Sequence, residues 1–281
     1  MAKIRQTMAR RFILSRMTRS PIRSAIRQSE PLPWIIAHRG HSAAAPENTA
    51  SAFDAALQAP IDGIETDLQM SADGVPVIHH DATVVKLGGG RFRVSALPWR
   101  ELRALDAGGR RSERFRGERL LSLADLLDGW GGRTWLLLEI KARPGDRDPA
   151  WHRRLTERTI DEVRRRKLES SVLLLCFDQN VLAAARRYDP KIRTVRNLDR
   201  LPTGESRMRD LLTPLFAASI NVRALHAKFV DLAHQMGKPV LTYTCNDRGT
   251  VRRAMAAGAD AIMANDPGQL ARLVHEGRTS Q

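Results

Sequence analysis

The chain has 281 residues, of which 42% are hydrophobic and 27% are charged, a composition typical of a globular protein. These values exclude a mainly disordered chain, and no apolar run approaches the roughly 18 residues of a membrane span. The two cysteines, Cys176 and Cys245, lie in apolar runs and predict buried thiols rather than a disulfide scaffold. The net charge of +15 suits anionic partners, but with 5% aromatic residues to stack on bases we expect no nucleic-acid partner.

The first 30 residues differ in composition from the rest of the chain. They hold eight basic residues and one acidic residue, so they contribute +7 of the net charge. Their longest apolar run, Phe12–Leu14, is too short for a secretory signal, which needs roughly 7–15 apolar residues. We predict a disordered basic leader over residues 1–30 of a cytoplasmic protein. A later start at Met8 or Met17, contact with a membrane surface, and organelle targeting are the alternatives for this segment.

From residue 31 onward, short apolar runs alternate with segments of helical periodicity, which is typical of parallel α/β folds. The predicted strands are Trp34–Ala37, Gly63–Gln69, Val75–His80, Trp135–Ile140, Val172–Phe177, Ile192–Val195, Val240–Thr244 and Ala261–Ala264. The predicted helices are Thr49–Gln58, Leu123–Gly129, Trp151–Lys167, Val181–Tyr188, Ala224–Met236, Gly249–Ala257 and Gln269–His275.

Eight strands with interleaved helices indicate an α/β fold of the (β/α)₈ TIM-barrel type, with a short insertion between predicted strands 3 and 4. We expect residues 31–281 to form this barrel as a single domain. A doubly wound sheet is the alternative, but the glycine-rich turn that usually follows its first strand is missing here. The run Gly88–Gly90 lacks a following Gly-Lys-Ser/Thr and indicates a surface turn rather than a phosphate loop.

Two carboxylates lie on one face of the second predicted strand. Glu65 and Asp67 are two residues apart, and side chains with that spacing share a face of a strand. Two such carboxylates inside a barrel repel each other unless a cation lies between them. Hard divalent cations such as Mg²⁺ and Ca²⁺ prefer oxygen ligands. The pair therefore indicates a metal site, with solvation on a loop as the alternative.

Further polar residues follow other predicted strands. The first strand runs into His38 and Arg39, the third into His79 and His80, and the fourth ends in Glu139-Ile140-Lys141. In a barrel, the carboxyl ends of the strands form the active site, and burying these groups unpaired would cost several kcal/mol. Three carboxylates for a cation, basic side chains for phosphate oxygens and imidazoles for proton transfer together indicate hydrolysis of a phosphate diester.

Three stretches of the sequence resemble the glycerophosphodiester phosphodiesterase family: AHRGHSAAAPENTASAFDAAL, DGIETDLQMSADGVPVIHHDATV and LLLEIKA. The order HRG, P-E-N-T, I-E-x-D, D-G, H-D and E-I-K follows that of the family, and weaker matches extend the resemblance over roughly residues 34–270. The resemblance implies a TIM barrel that hydrolyses glycerophosphodiesters, such as glycerophosphocholine and glycerophosphoethanolamine, to sn-glycerol 3-phosphate and an alcohol. It also implies one divalent cation, Mg²⁺ or Ca²⁺. The short insertion resembles that of compact intracellular members.

The resemblance also implies roles for individual residues. Residue by residue, it assigns acid/base chemistry to His38 and His80, metal ligation to Glu65, Asp67 and Glu139, phosphate contact to Arg39 and Lys141, and supporting positions to Glu47, Asn48 and Tyr243. Because the family motif places its histidine directly before Asp, we expect His79 to pack away from the metal.

The sequence departs from the family at three points. Tyr243 replaces the usual Trp, Cys176 stands where Ser is common, and Ala264 stands where Thr is usual before Asn265. We expect these positions on the alcohol side or the barrel floor, where they affect the leaving group rather than catalysis.

Two other functions stay open. One is a related barrel phosphodiesterase that acts on lysophospholipids at a membrane surface, with the basic leader in contact with lipid. The other is a catalytically silent module that binds anions. The preferred alcohol, the choice between Mg²⁺ and Ca²⁺ and the oligomeric state are also open.

Overall fold

A computed structural model describes residues 32–142 and 148–279 of the chain. The predicted leader, residues 1–30, lies outside the described residues. The described part contains these strands: β1 (Trp34–His38), β2 (Gly63–Met70), β3 (Pro76–Ile78), β4 (Trp135–Ile140), β5 (Val172–Cys176), β6 (Thr194–Leu198), β7 (Ala217–Asn221), β8 (Val240–Tyr243) and β9 (Ala261–Ala264).

Eight of these strands close into a parallel barrel. Each pairs in parallel with the next, in the order β1, β2, β4, β5, β6, β7, β8 and β9, and β9 pairs back onto β1. The predicted (β/α)₈ barrel is therefore confirmed, and the doubly wound alternative is excluded.

The prediction of Val75–His80 as the third barrel strand is wrong. A turn with Gly74 at φ 84° reverses the chain after β2, and β3 then pairs antiparallel with β2, with Pro76 opposite Met70. The strand that completes the barrel is β7, Ala217–Asn221, whose sequence Ala-Ala-Ser-Ile-Asn lacks the apolar run that marks the other strands. Most of the chain between β3 and β4 forms an insertion on one side of the barrel mouth.

The helices that surround the barrel follow its strands along the chain. In the described residues they are α1 (Ala50–Leu57), α2 (Trp99–Ala104), α3 (Leu123–Trp130), α4 (Pro149–Arg165), α5 (Gln179–Tyr188), α6 (Glu205–Leu212), α7 (Ala227–Gln235), α8 (Arg248–Ala256) and α9 (Pro267–Thr279). None of the helices in the described ranges is long and apolar enough to cross a membrane.

Seven helices were expected, and their ends follow the expected capping chemistry. The side chains of Thr49 and Asp247 accept backbone N–H groups at the starts of α1 and α8. Gly237 and Gly258 follow α7 and α8 with positive φ. The sequence did not predict α2, which lies in the insertion, or α6, which begins after Gly204 without a side-chain cap.

Alternation along the strands divides the core into two layers and positions the site. Ile64 and Leu68 on β2 pack outward beneath the helices, while a Cβ on Gly63 would meet Ile36 and Leu137 inside the barrel. An apolar cluster fills the interior: Ile36, Leu137, Leu173, Leu175, Val195, Ala217, Leu241, Ala261 and Met263. This cluster is the floor of the barrel mouth. The inward-facing residues further along the strands lie above it and face the mouth.

Candidate active site

Three buried carboxylates meet at the mouth of the barrel. Glu65 and Asp67 follow Gly63 on the inner face of β2, and the strand register places Asp67 beside Glu139 of β4. One oxygen atom from each of the three side chains lies within 4.8 Å of the others. The three residues are only 1–7% exposed. Their oxygen donors and close spacing fit a hard divalent cation.

Two basic side chains lie against this acidic cluster. The Nζ of Lys141 is 2.7 Å from Glu139 Oε1 and 3.3 Å from Asp67 Oδ1. The Nε of Arg39 is 3.1 Å from Asp67 Oδ2, and its terminal Nη1 is 2.9 Å from Glu47 Oε2. Arg39 and Lys141, which are expected to contact phosphate, therefore also neutralise carboxylates. Asp67 receives the most positive charge of the three, because it contacts both of them.

The pKa values of the three carboxyls show how uneven that compensation is. Burial raises the pKa of Glu65 well above its ordinary value, and the charges of Asp67 and Glu139 add to the effect. Burial also raises the pKa of Glu139, although Lys141 opposes the shift. At Asp67 burial is outweighed by Lys141 and Arg39, and the pKa falls to about 2. Two of the three carboxyls thus lack enough positive charge, which is the electrostatic condition for binding a cation.

The P-E-N-T turn holds the cluster from one side. Asn48 has φ 62° and is buried, its Nδ2 donates to Asp67 Oδ2 at 2.9 Å, and its Oδ1 accepts from Thr66 at 2.7 Å. Glu47 reaches the guanidinium of Arg39, as described above. Both supporting residues of this turn therefore orient groups that lie on the acidic cluster.

His38, at the end of β1, lies at the cluster with one nitrogen held from outside. Its Nδ1 donates to Asn265 Oδ1 at 2.8 Å, and its Nε2 is 3.8 Å from Glu65 Oε2. Burial, with a further contribution from Arg39, lowers the pKa of His38 to about 4. The ring is therefore neutral near pH 7 with an unprotonated Nε2. Asn265 follows Ala264, one of the three departures from the family, and its amide orients this ring.

The two neighbouring histidines lie in different surroundings. Both follow β3, which ends at Ile78. His80 lines the central cavity, and its Nδ1 is 2.7 Å from Asp81 Oδ1. His79 is 7% exposed and donates from Nε2 to the carbonyl of Thr83 at 3.0 Å. The structure therefore separates a histidine at the mouth from a packed one, and it is His80 that faces the acidic cluster.

The central cavity has a volume of about 240 Å³. Tyr243 lies opposite the acidic cluster, with its ring centroid 6.2 Å from that of Phe177 and its hydroxyl 3.3 Å from Asp199 Oδ1. Asn197 of β6 donates to Glu139 Oε2 at 2.9 Å, and its buried Oδ1 has no hydrogen-bond partner among the described residues. The cavity lining comprises His38, Arg39, Glu65, His80, Glu139, Lys141, Leu175, Phe177, Asn197, Asp199, Asn221, Tyr243, Thr244 and Met263.

Sequence reasoning missed Asn197. The predicted sixth strand, Ile192–Val195, stops two residues before it, whereas β6 runs from Thr194 to Leu198. A strand extended to Leu198 would have placed Asn197 on the same face as Val195, which lies inside the barrel.

The fold and the site together define a TIM-barrel enzyme of the phosphodiesterase class. Residues 38–269 match the model of the glycerophosphoryl diester phosphodiesterase family, and the chain therefore belongs to that family. A glycerophosphodiester phosphodiesterase from Caldanaerobacter subterraneus subsp. tengcongensis is 28% identical over 256 residues, which cover 86% of this chain and 98% of that protein.

Two solved structures are also similar to this chain. A Silicibacter pomeroyi protein assigned to the glycerophosphoryl diester phosphodiesterases has a TM-score of 0.81 and 28% identity, and the match covers 90% of this chain and 96% of that one. An Oleispira antarctica phosphodiesterase, in complex with the product sn-glycerol-3-phosphate, has a TM-score of 0.77 and 25% identity over 87% of this chain and 97% of that one.

Proposed function

We propose that this chain hydrolyses glycerophosphodiesters of small alcohols, such as glycerophosphocholine and glycerophosphoethanolamine, to sn-glycerol 3-phosphate and the free alcohol. One observation supports it most strongly. One cavity is lined by two carboxylates of the buried acidic cluster, two basic side chains and two histidines, and the third carboxylate, Asp67, lies behind them in contact with both basic side chains. The product held by the Oleispira antarctica relative has the chemistry of the proposed product.

Glu65, Asp67 and Glu139 would hold one divalent cation, Mg²⁺ or Ca²⁺. The fit rests on their oxygen donors, on their spacing and on the raised pKa values of Glu65 and Glu139. Such a cation supplies Lewis-acid polarisation of a phosphate oxygen.

Arg39 and Lys141 would bind the phosphate. Both line the cavity, and both remain cationic because neighbouring carboxylates outweigh the effect of burial and raise their pKa values. Asp67 fixes the two side chains from below, with contacts to Arg39 Nε and Lys141 Nζ. The remaining N–H groups can then donate to the phosphoryl oxygens as negative charge builds on them.

His38 is suited to act as the general base. Because Asn265 holds its Nδ1–H, the free lone pair is on Nε2, on the side of the acidic cluster. It takes the proton of the nucleophile, which is water or the neighbouring glycerol hydroxyl. Attack by the glycerol hydroxyl would give a cyclic phosphate first.

His80 is suited to act as the general acid. Asp81 orients the ring through Nδ1, which leaves Nε2 for the substrate. His80 then gives a proton to the alcohol oxygen as the P–O bond breaks. Exchange with solvent returns both histidines to their starting states.

Release of choline from glycerophosphocholine and from lysophosphatidylcholine, measured side by side, tests this function. We expect the chain to release choline from glycerophosphocholine but not from lysophosphatidylcholine. This turnover should be lost in excess chelator and recovered with Mg²⁺ or Ca²⁺. Comparable turnover of lysophosphatidylcholine would favour the lysophospholipid alternative. A folded, metal-supplied protein that turns over neither substrate would favour the silent anion-binding module.

A further inference from the structure

Two exposed hydrophobic side chains lie on one loop of the insertion. Within the described ranges the exposed large hydrophobic residues are Val85 (44% exposed), Phe92 (59%) and Tyr188 (40%). The first two belong to residues 83–93, here named the insertion loop. A bridge between Thr83 and Arg93 closes its base, where the backbone N–H of residue 84 donates to the carbonyl of Phe92 at 3.0 Å. Both apolar side chains are therefore presented to solvent from a closed loop.

The base of this loop is anchored in a small core of its own. Val84 and Leu87 are buried in a cluster with Val77, Val94, Leu102 and Leu120. Val85 and Phe92 thus project from a packed support. Apolar side chains held in solvent in this way are available for contact with a partner or a membrane.

Three arginines lie next to the exposed apolar residues. Arg91 and Arg93 lie on the loop itself, and Arg110 donates from Nη1 to the carbonyl of Val85 at 3.0 Å. All three are exposed, and none forms an ion pair with an acidic residue in the described part of the chain. Lys86, by contrast, is paired with Asp81. The loop therefore presents uncompensated positive charge beside apolar surface.

The insertion loop adjoins the catalytic groups. Asp81 contacts both His80 and Lys86, which links the start of the loop to the mouth. Arg93, at its end, lines a second cavity of about 530 Å³ whose wall also includes His80 and Lys141. A surface bound at the loop would consequently lie next to the entrance of the active site.

We propose that the insertion loop docks this enzyme on anionic phospholipid bilayers. Phe92 and Val85 enter the interface between headgroups and acyl chains, and Arg91, Arg93 and Arg110 bind the anionic headgroups. A bilayer satisfies both features of the loop, because it combines negative surface charge with an apolar layer just beneath it. Nucleic acid would match the arginines but would leave the aliphatic Val85 in contact with a polar backbone.

Sedimentation of the full chain with phosphatidylcholine vesicles, with and without phosphatidylserine, tests the proposal. We expect binding only to the vesicles that contain phosphatidylserine, weakened by salt. Arg91→Ser and Arg110→Ser should each reduce the partition coefficient about fivefold, as expected for loss of one basic residue at an anionic surface. Phe92→Ser should reduce it by a similar factor or more.

Two control variants replace an exposed aromatic residue and an exposed arginine outside the insertion loop with serine. Tyr188→Ser removes the exposed aromatic side chain of α5, and Arg207→Ser removes an exposed arginine of α6 that makes no ion pair in the described residues. Both should bind vesicles like the parent. All variants should turn over soluble glycerophosphocholine like the parent, since none of these residues belongs to the proposed catalytic machinery.

The proposal fails if phosphatidylserine vesicles do not bind the chain, or if they bind the loop variants and the parent equally. The second result would assign membrane contact to another surface, including residues 1–30. Because vesicle binding is measured without substrate, its failure is separate from a failure of the proposed hydrolysis, which the soluble substrate reports.

Discussion

Replacing Glu65 with glutamine should stabilise the cation-free protein and abolish its response to metal. Glu65 is the carboxyl whose charge is least compensated, since burial and two neighbouring carboxylates raise its pKa. Glutamine has the same shape and can still accept the Arg39 backbone N–H, which lies 3.2 Å from Glu65 Oε2. The substitution therefore removes a buried charge without creating a cavity.

Two changes in stability are expected from this uncompensated charge, one from its replacement by glutamine and one from cation binding. Replacing buried ion pairs with uncharged side chains of similar volume is often neutral or stabilising by about 1–4 kcal/mol, and we expect the gain from Glu65→Gln to lie within this range. Conversely, a cation at one hundred times its dissociation constant stabilises the parent by about 2.7 kcal/mol. For a domain of this size, each kcal/mol corresponds to about 2–4 °C in Tm, so metal should raise the Tm of the parent by about 5–10 °C.

Thermal unfolding in chelator and in a titration of Mg²⁺ or Ca²⁺ measures both effects. In chelator the variant should melt above the parent, and the gap should widen as pH rises. This sign follows because a carboxyl with a raised folded-state pKa loses its stabilising contribution as pH rises through that pKa. With metal, the parent should gain stability and Glu65→Gln should not, whereas the control Glu205→Gln, on the exposed face of α6, should gain stability like the parent. A variant that keeps the full metal-dependent rise, or that melts below the parent in chelator, would refute the assignment.

Three further outcomes are expected. His80→Ala should lower kcat by at least about 10²-fold with little change in Tm, whereas His79→Ala should lower Tm and keep kcat within about tenfold; the reverse pattern would exchange their roles. Asn197→Leu should weaken metal binding, followed by calorimetry, about 10–100-fold because it frees Glu139; unchanged affinity would make the amide merely structural. The ion pair between protonated His234 and Asp260 is complete below pH 6.5, the ordinary pKa of histidine, and is lost as pH rises through the raised pKa of His234. Tm should therefore fall over this pH range, and His234→Ala should remove the fall, which corresponds to under about 1 kcal/mol.

The sequence predicted the barrel wherever a strand was both apolar and buried. β4 and β5 read Trp-Leu-Leu-Leu-Glu-Ile and Val-Leu-Leu-Leu-Cys, and both were predicted to within one residue. β3 is just as apolar but pairs antiparallel with β2. The turn at Gly74, and not the residues of β3 themselves, sets this direction. β7 escaped prediction because its small residues pack against neighbouring strands, a tertiary effect that hydrophobic runs do not report.

The site was predicted to the extent that its chemistry is carried by charge. Glu65, Asp67 and Glu139 could be placed together because spacing along a strand fixes the face and the barrel brings strand ends together. The pairing of Arg39 and Lys141 with Asp67 could not, since it depends on side-chain conformation across three strand ends.

Each of three groups at the mouth is oriented by an amide side chain. Asn48 bonds to Asp67, Asn197 to Glu139 and Asn265 to His38. The three asparagines come from a turn, a strand and a loop that are far apart in sequence, so no local motif joins them. An amide can fix the direction of a carboxylate or an imidazole without adding charge, and it therefore leaves intact the negative balance that a cation requires. A lysine in place of Asn48 or Asn197, or an aspartate in place of Asn265, could make the same hydrogen bond but would change that balance. The charged residues can thus be recognised from the sequence, and Asn48 through its motif, whereas the roles of Asn197 and Asn265 become evident only when the barrel closes.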